Sequence, residues 1–341
     1  MAESGGARAA FRSCRPLCST RGARMPAITD LGSSSRPLIG IALKVVSVTI
    51  FVCMSSLIKY SGDVPPGQIV FFRSFFAIFP IFAMLAWQRE LATAFHTSRP
   101  FGHIARGLVG VVAMALGFYG LTKLPLPDAI TLNYAQPLIV VVFSALFAGE
   151  TVRMYRWSAV VVGFVGVVIV AWPKLTLLSG EGGMAAEQGL GVIAVLAAAA
   201  CSAVAMLLVR KLVQTERTAT IVLWFSVTAT VMSLVSLPFG WIALSNGQML
   251  ALVGAGLCGG VAQILMTQCY RYAELSTIAP FEYTSMVLAI VIGYFVFKDV
   301  PTLYTLVGGL IIVGAGLFII WREHRIGLQR SAARRFVPPG S

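Results

Sequence analysis

The sequence DAITLNYAQPLIVVVFSALFAGE occupies residues 128–150, and TIAPFEYTSMVLAIVIGYFVFKD occupies residues 277–299. The two stretches align at a constant offset of 149 residues, which places Tyr134 opposite Tyr283, and the alignment extends as far as Trp321. Each stretch is mostly apolar and is long enough, at about 20 residues, to cross the apolar core of a bilayer as a helix. The pattern predicts two copies of one membrane-spanning unit.

The composition agrees with a membrane protein. The chain has 341 residues, of which 57% are hydrophobic and only 11% are charged, and its mean hydropathy is +0.85. A soluble globular chain is about 25% charged because its surface must face water. This balance excludes soluble enzymes, secreted domains and nucleic-acid-binding proteins, and it predicts a protein embedded in the lipid bilayer.

Ten apolar runs are long enough to span a membrane. An odd number of spans in each copy means that the second copy is inverted relative to the first, as in alternating-access transporters. The predicted fold is therefore an all-α polytopic membrane protein with ten transmembrane helices in two inverted five-helix repeats. The predicted spans are 38–60, 68–87, 102–121, 128–148, 157–172, 189–210, 219–241, 249–270, 277–297 and 303–321.

The spans divide the chain into five predicted segments. They are a disordered basic cytoplasmic tail (1–36), a first repeat (37–172), a linker (173–188), a second repeat (189–321) and a basic cytoplasmic tail (322–341). The first segment is also compatible with an organellar transit peptide or with translation from Met25, and the sequence leaves these alternatives open.

The positive residues behind the net charge of +13 are distributed unevenly between the two sides of the membrane. With the N-terminus in the cytoplasm, twenty of the 26 Arg and Lys residues fall on the cytoplasmic side and four on the outer side. Positive charge marks the cytoplasmic side of a membrane protein. We therefore expect both termini in the cytoplasm and no interaction with nucleic acid.

Four motifs resemble the EamA family of the drug/metabolite transporter superfamily. The run from Tyr119 to Ala129 is similar to the family's turn between helices 3 and 4, and residues 147–150 (FAGE) are similar to its "lxGE" helix end. In the second half, residues 270–283 (YRYAELSTIAPFEY) and 293–301 (GYFVFKDVP) resemble the corresponding family runs. The resemblance covers residues 38–321, and within the family it is greatest to the subgroup that contains bacterial riboflavin importers and S-adenosylmethionine uptake carriers.

The resemblance implies a carrier of the bacterial inner membrane that works by alternating access, and we expect riboflavin uptake. S-adenosylmethionine uptake and export of amino acids or other metabolites are the alternatives, and a membrane-embedded transferase is a distant one. We expect no cofactor and no metal, and the sequence leaves a homodimer open. All three histidines (His96, His103 and His324) are expected in cytoplasmic loops or the tail, where they form no catalytic cluster.

Glu282 is the strongest candidate for a substrate contact. An acidic residue inside a span is costly, and such residues usually serve function. Pro280, which has no backbone N–H, predicts a break in the helix beside a cavity. Pro137 repeats this pattern in the first half, beside Gln136. We expect the paired segments to face each other across the axis that relates the repeats.

The complete set of predicted substrate-binding residues combines these positions with other polar side chains in the spans. Aromatic walls with a few polar groups suit a planar heteroaromatic ligand. The set is Arg73, Asn133, Tyr134, Gln136, Gln263, Gln268, Glu282 and Tyr283. Lys44 and Lys59 are expected to reach towards the interfaces from helix ends, and Glu150 and Asp299 are expected to act as boundary and gating groups.

Overall fold

Helices account for nearly all of the described structure, and within it no strand occurs. The structure, a computed structural model, describes residues 37–89, 91, 94–147, 153–175, 183–212, 215–272 and 278–335. The helices are α1 (Pro37–Tyr60), α2 (Pro66–Trp87), α3 (Pro100–Lys123), α4 (Leu126–Asn133), α5 (Ala135–Phe147), α6 (Met154–Leu175), α7 (Gly183–Leu212), α8 (Thr218–Leu234), α9 (Asn246–Tyr272), α10 (Thr284–Ile292) and α11 (Leu303–Arg335). The all-α prediction is confirmed.

In the described residues, nine segments are long and apolar enough to cross a membrane, and a tenth, Ala219–Leu234, is shorter. One of the nine combines α4 with α5, and another combines α10 with the short helical turns on either side of it. Apolar side chains are exposed along these segments, as on α6 at Val161, Val165 and Val168. The chain is a multi-pass membrane protein, because so much exposed apolar surface requires lipid.

Helices of the first half pack directly against helices of the second half. The most extensive pairings are α1 with α9, α3 with α7, and α6 with α11. Glycines permit close contact between backbones: a Cβ atom on Gly166 would lie 2.7 Å from the backbone oxygen of Gly308, and one on Gly260 would lie 2.7 Å from that of Ala77 in α2. Small residues at such crossings allow helices in membranes to pack closely.

Both repeats interrupt a span at the predicted polar positions, but the break in the first half lies before Pro137. The interruption falls at Tyr134, between α4 and α5, and Pro137 occupies the first turn of α5. A proline is tolerated in the first turn because the N–H it lacks has no partner there. In the second half, Pro280 likewise lies in a 3-10 turn, Ala279–Tyr283, that precedes α10.

Several predicted boundaries differ from the structure. The span predicted at 219–241 ends as helix at Leu234, because Pro238 cannot continue the hydrogen-bond ladder and a 3-10 turn follows. The predicted linker 173–188 is partly helical, since α7 begins at Gly183 in a stretch rich in Ala, Glu and Gln. The last helix extends past residue 321 to Arg335. Residues 1–36 and 176–182 lie outside the described part of the chain.

Candidate functional site

A cavity of about 760 Å³ lies between the two halves. Its walls come from α1, α2, α3, α5, α7, α9 and α11, and from both interrupted spans. Most lining residues are apolar, and the polar side chains are placed among them. The polar lining residues are Ser55, Arg73, Asn133, Tyr134, Gln136, Ser202, Gln263, Glu282, Tyr283 and Ser285.

Seven of the eight predicted substrate-binding residues line this cavity, and Gln268 is not among the lining residues. Gln268 follows the cavity-lining Met266 by two positions on α9. Because an α-helix turns about 100° per residue, Gln268 and Met266 project from nearly opposite sides of α9. The exception is therefore a consequence of helical geometry, which the predicted set did not take into account.

Tyr134 and Tyr283, which both line the cavity, contact each other. Their rings are 5.2 Å apart between centroids with an interplanar angle of 62°, an edge-to-face arrangement that aromatic pairs favour. The Tyr134 hydroxyl is in contact with the Ser285 hydroxyl and lies 3.4 Å from the Glu282 backbone oxygen. The two interrupted spans thus hold each other at the positions that the repeat aligns.

Lys44 pairs with Glu282 beside the tyrosines. The Lys44 Nζ atom lies 2.8 Å from Glu282 Oε2 and 3.0 Å from the sulfur of Met266. The Lys44 side chain is only 1% exposed, whereas that of Glu282 is 51% exposed. The prediction that Lys44 reaches the membrane interface is wrong, because α1 packs against α9 and encloses the side chain, leaving the carboxylate as its partner.

Lys59 and Asp299 form a second ion pair where α1 and the last two spans meet. The Lys59 Nζ atom lies 2.7 Å from Asp299 Oδ2 and donates a hydrogen bond of 2.7 Å to the Leu124 backbone oxygen. The backbone N–H of Leu126 donates to the same carboxylate at 3.0 Å. Lys59 is therefore mostly buried and does not extend to the interface as predicted, since the Asp299 carboxylate and the Leu124 carbonyl oxygen hold it inward.

A third ion pair, Lys174 with Asp128, lies near the Lys59 pair, and the sequence patterns missed it. The Lys174 Nζ atom is 2.5 Å from Asp128 Oδ2, and the hydroxyl of Thr305 donates to the other carboxylate oxygen. Both charged side chains are nearly inaccessible. We name the end of the helices that carries Lys59, Asp128, Lys174 and Asp299 the closed end. Its pairs join residues distant in sequence, so no local motif marks them.

The opposite end carries a smaller polar cluster around Glu216. Its carboxylate accepts hydrogen bonds from the hydroxyl of Thr97 at 2.9 Å and from the backbone N–H and hydroxyl of Ser98 at 2.8 and 2.9 Å. Burial alone would raise the pKa of Glu216, but these hydrogen bonds lower it below its ordinary value. His103, expected in a loop, is buried in α3 and stacks on Trp224. Glu150 lies outside the described residues.

Among the residues that the structure describes, no group of three His, Cys, Asp or Glu side chains is placed to hold a metal ion. The cavity offers instead two phenol rings, amide groups, one guanidinium and one carboxylate. Such groups bind small polar and aromatic ligands through stacking, hydrogen bonds and charge.

Comparison with known proteins relates the chain to membrane carriers. Residues 38–172 and 189–321 each match the EamA-like transporter family. The S-adenosylmethionine uptake transporter of Rickettsia prowazekii (strain Madrid E) is 28% identical over 271 residues, which cover 78% of this chain and 87% of the relative. The riboflavin transporter of Rhizobium johnstonii is 28% identical over 304 residues, which cover 88% of this chain and 94% of that transporter.

An exporter and a solved structure are also similar. The pseudopaline exporter CntI of Pseudomonas aeruginosa is 29% identical over 282 residues, which cover 81% of this chain and 94% of the exporter. A solved crystal structure is similar with a TM-score of 0.58 and 20% identity, and the match covers 84% of this chain and 98% of that one. At that identity the likeness concerns the fold alone.

Proposed function

The chain belongs to the EamA-like transporter family, and from that premise we propose that it carries a small heteroaromatic metabolite into the cell by alternating access. The observation that carries the proposal is the central cavity of about 760 Å³ between the two halves. Cavities of roughly 300–1,000 Å³ hold ligands of this size. In transporters built from inverted repeats, the substrate site lies at the interface between the repeats.

The cavity walls favour a planar ring system. Tyr134 and Tyr283 present two aromatic surfaces, and Asn133, Gln136 and Gln263 present amide groups to the same cavity. Rings stack on phenols, while amides hydrogen-bond to ring nitrogens and oxygens. We propose that these five residues bind the ring system of the substrate.

The ion pairs at the closed end support a conformational cycle. Lys59–Asp299 connects the first half to the second on one side of the cavity. Asp128, which pairs with Lys174 of the same half, accepts a hydrogen bond from Thr305 of the second half. The distribution of Arg and Lys favours an orientation in which that side faces the outside of the cell. We propose that the structure is the inward-facing state, and that the Lys59–Asp299 and Thr305–Asp128 contacts separate when the carrier opens outward.

Two metabolites suit the chemistry of the cavity and are also the substrates for which relatives of the chain are named. S-adenosylmethionine carries an adenine ring, and riboflavin carries a neutral planar ring system with many hydrogen-bonding groups. The sequence alone favoured riboflavin, but relatives named for S-adenosylmethionine uptake stand at least equal in similarity. We propose that the substrate is one of these two or a metabolite of the same class.

Uptake by a host deficient in each metabolite tests the proposed function. The full chain should restore saturable uptake of labelled S-adenosylmethionine or riboflavin, and unlabelled substrate inside the cell should accelerate it. Tyr283→Ala should reduce uptake at least about tenfold, since stacking and packing of one ring contribute on the order of 1.5 kcal/mol. Tyr294→Ala is the matched control, because Tyr294 is 52% exposed and does not line the cavity. Equal losses in both variants, or no saturable uptake by the wild type, would contradict the proposal.

A further inference from the structure

Arg73 and Arg106 form a pair of guanidinium groups beside the cavity. Arg73 on α2 is 8% exposed, and its Nε atom is buried without a hydrogen-bond acceptor among the described residues. The same is true of the Nε and Nη1 atoms of Arg106 on α3. Arg106 also lies against the ring of Phe225, with 3.7 Å between its Cζ atom and the ring centroid. Two buried cations side by side repel each other, so the arrangement costs free energy unless an anion compensates it.

No acidic side chain that the structure describes neutralises this pair. Six acidic side chains are described, and each lies within 4.0 Å of a lysine or of His103. They are Asp63, Asp128, Glu187, Glu216, Glu282 and Asp299. In the described residues, the surroundings of Arg73 and Arg106 therefore hold two positive charges in excess. A membrane-embedded cation without an acidic partner indicates a binding function more strongly than a structural one.

A side chamber of about 40 Å³ lies between the two arginines. Its walls also include Ser226, Gln263 and the glycine pair 259–260. A water molecule needs about 10–15 Å³ of such space, so the chamber has room for a group the size of a carboxylate. A Cβ atom on Gly259 would lie 3.3 Å from Arg73 Nε; a larger residue there would crowd the guanidinium, and glycine leaves it room.

The chamber adjoins the substrate cavity. Arg73 and Gln263 line both spaces, so a ligand in the large cavity can extend an anionic group into the small one. Planar guanidinium groups bind carboxylates through two parallel hydrogen bonds. The side chamber therefore has the charge, the donors and the size of a carboxylate subsite.

From these observations we propose that the substrate bears a carboxylate, and that Arg73, with Arg106 behind it, binds this group. The inference rests on the proposed function and narrows it. It favours a metabolite with an amino-acid moiety, such as S-adenosylmethionine, over the neutral riboflavin. The tyrosines bind the ring system and the arginines bind the acid, so the two parts of the cavity recognise the two ends of one molecule.

Binding to the purified full chain in detergent tests the subsite with a matched pair of ligands. The probes are S-adenosylmethionine and its decarboxylated analogue, with riboflavin as a neutral ligand, and Kd is measured for the wild type, Arg73→Gln and Arg73→Lys. The wild type should bind S-adenosylmethionine at least about tenfold more tightly than it binds the decarboxylated analogue or riboflavin. Arg73→Gln should abolish that preference. Arg73→Lys should retain part of it, because it keeps the charge and loses the bidentate geometry. Arg322→Gln, on an exposed residue of α11, is the control.

The outcomes separate the inference from the proposed function. Because the preference is a ratio within each variant, partial loss of folded protein does not change it. Equal affinity of the wild type for the acid and its decarboxylated analogue, or tighter binding of riboflavin, would overturn the carboxylate subsite while leaving the carrier in place. An unchanged preference in Arg73→Gln would also overturn it. Absence of binding and of uptake for all three ligands would overturn both proposals.

Discussion

The pair formed by Lys44 and Glu282 leads to an asymmetric prediction. The Lys44 side chain is 1% exposed and that of Glu282 is 51% exposed, although they are joined by one contact of 2.8 Å. Replacing the acid, as in Glu282→Gln, leaves a buried ammonium without a carboxylate. Replacing the base, as in Lys44→Met, leaves a carboxylate that water can reach. We therefore expect Glu282→Gln to destabilise the protein more than Lys44→Met.

The magnitudes follow from the two exposures. Removing one partner of a fully buried pair costs about 3–5 kcal/mol, and an exposed pair is worth about 0.2–1 kcal/mol. Because the Glu282 side of this pair is exposed to solvent, we expect Glu282→Gln to lower the free energy of unfolding by about 2 kcal/mol. Lys44→Met removes the buried charge and leaves unpaired only the Glu282 carboxylate, which is 51% exposed and solvated by water, so we expect a loss of less than about 1 kcal/mol. The double variant should regain most of the loss.

Thermal unfolding of the purified full chain in one detergent measures the asymmetry. Glu282→Gln should unfold several degrees below the wild type, and Lys44→Met and the double variant should lie close to it. Asp63→Asn is the control, since the carboxylate of Asp63 is 83% exposed and its pair with Lys123 should contribute little. If Lys44→Met were as destabilising as Glu282→Gln, or if the double variant showed the sum of both losses, the reasoning from burial would be refuted.

Three further predictions concern the closed end, the helix crossings and the opposite end. Asp299→Asn removes the partner of Lys59. It should let a membrane-impermeant maleimide react several-fold faster from outside with a cysteine placed at Leu121, a buried residue of α3 that lines the cavity; unchanged labelling would argue against closure by this pair. Gly260→Val should lower the free energy of unfolding by about 1–3 kcal/mol, measured by thermal unfolding, because the added Cβ atom would lie 2.7 Å from a backbone oxygen of α2. A neutral effect would count against this packing. Since the folded pKa of Glu216 is lowered, its stabilisation is present above its ordinary pKa of about 4.5 and is lost as pH falls through the lower folded value. The stability difference between wild type and Glu216→Gln should therefore shrink on acidification, and a difference that grows would contradict the sign.

Much of the architecture could be predicted from the sequence because lipid imposes a simple rule on apolar runs. Hydropathy located the spans, and the repeat offset paired Tyr134 with Tyr283, which the structure brings into ring contact. These features depend on local composition and on internal similarity. The ends of helices were less predictable: Pro137 indicated a break, but the break lies three residues earlier, because a proline fits the first turn of the following helix.

Contacts between distant helices could not be predicted from local patterns. Lys44 and Lys59 lie near helix ends, where lysines commonly extend to the interface, yet both side chains are buried or mostly buried and pair with acids from the second half of the chain. Lys174 and Asp128 are likewise paired only by the packing of α6 against α11 and α4. The side chamber between Arg73 and Arg106 depends on how α2, α3, α8 and α9 pack together, which hydropathy does not specify.

Counterflow into proteoliposomes tests the central claim most directly. Vesicles that contain the purified chain and are preloaded with unlabelled S-adenosylmethionine should accumulate the labelled compound transiently above equilibrium, and vesicles with Tyr283→Ala should not. This transient is the signature of a carrier that exposes one binding site alternately to each side. Accumulation that is the same with and without preloading, or the same in the Tyr283→Ala variant, would contradict a carrier whose substrate binds in the central cavity.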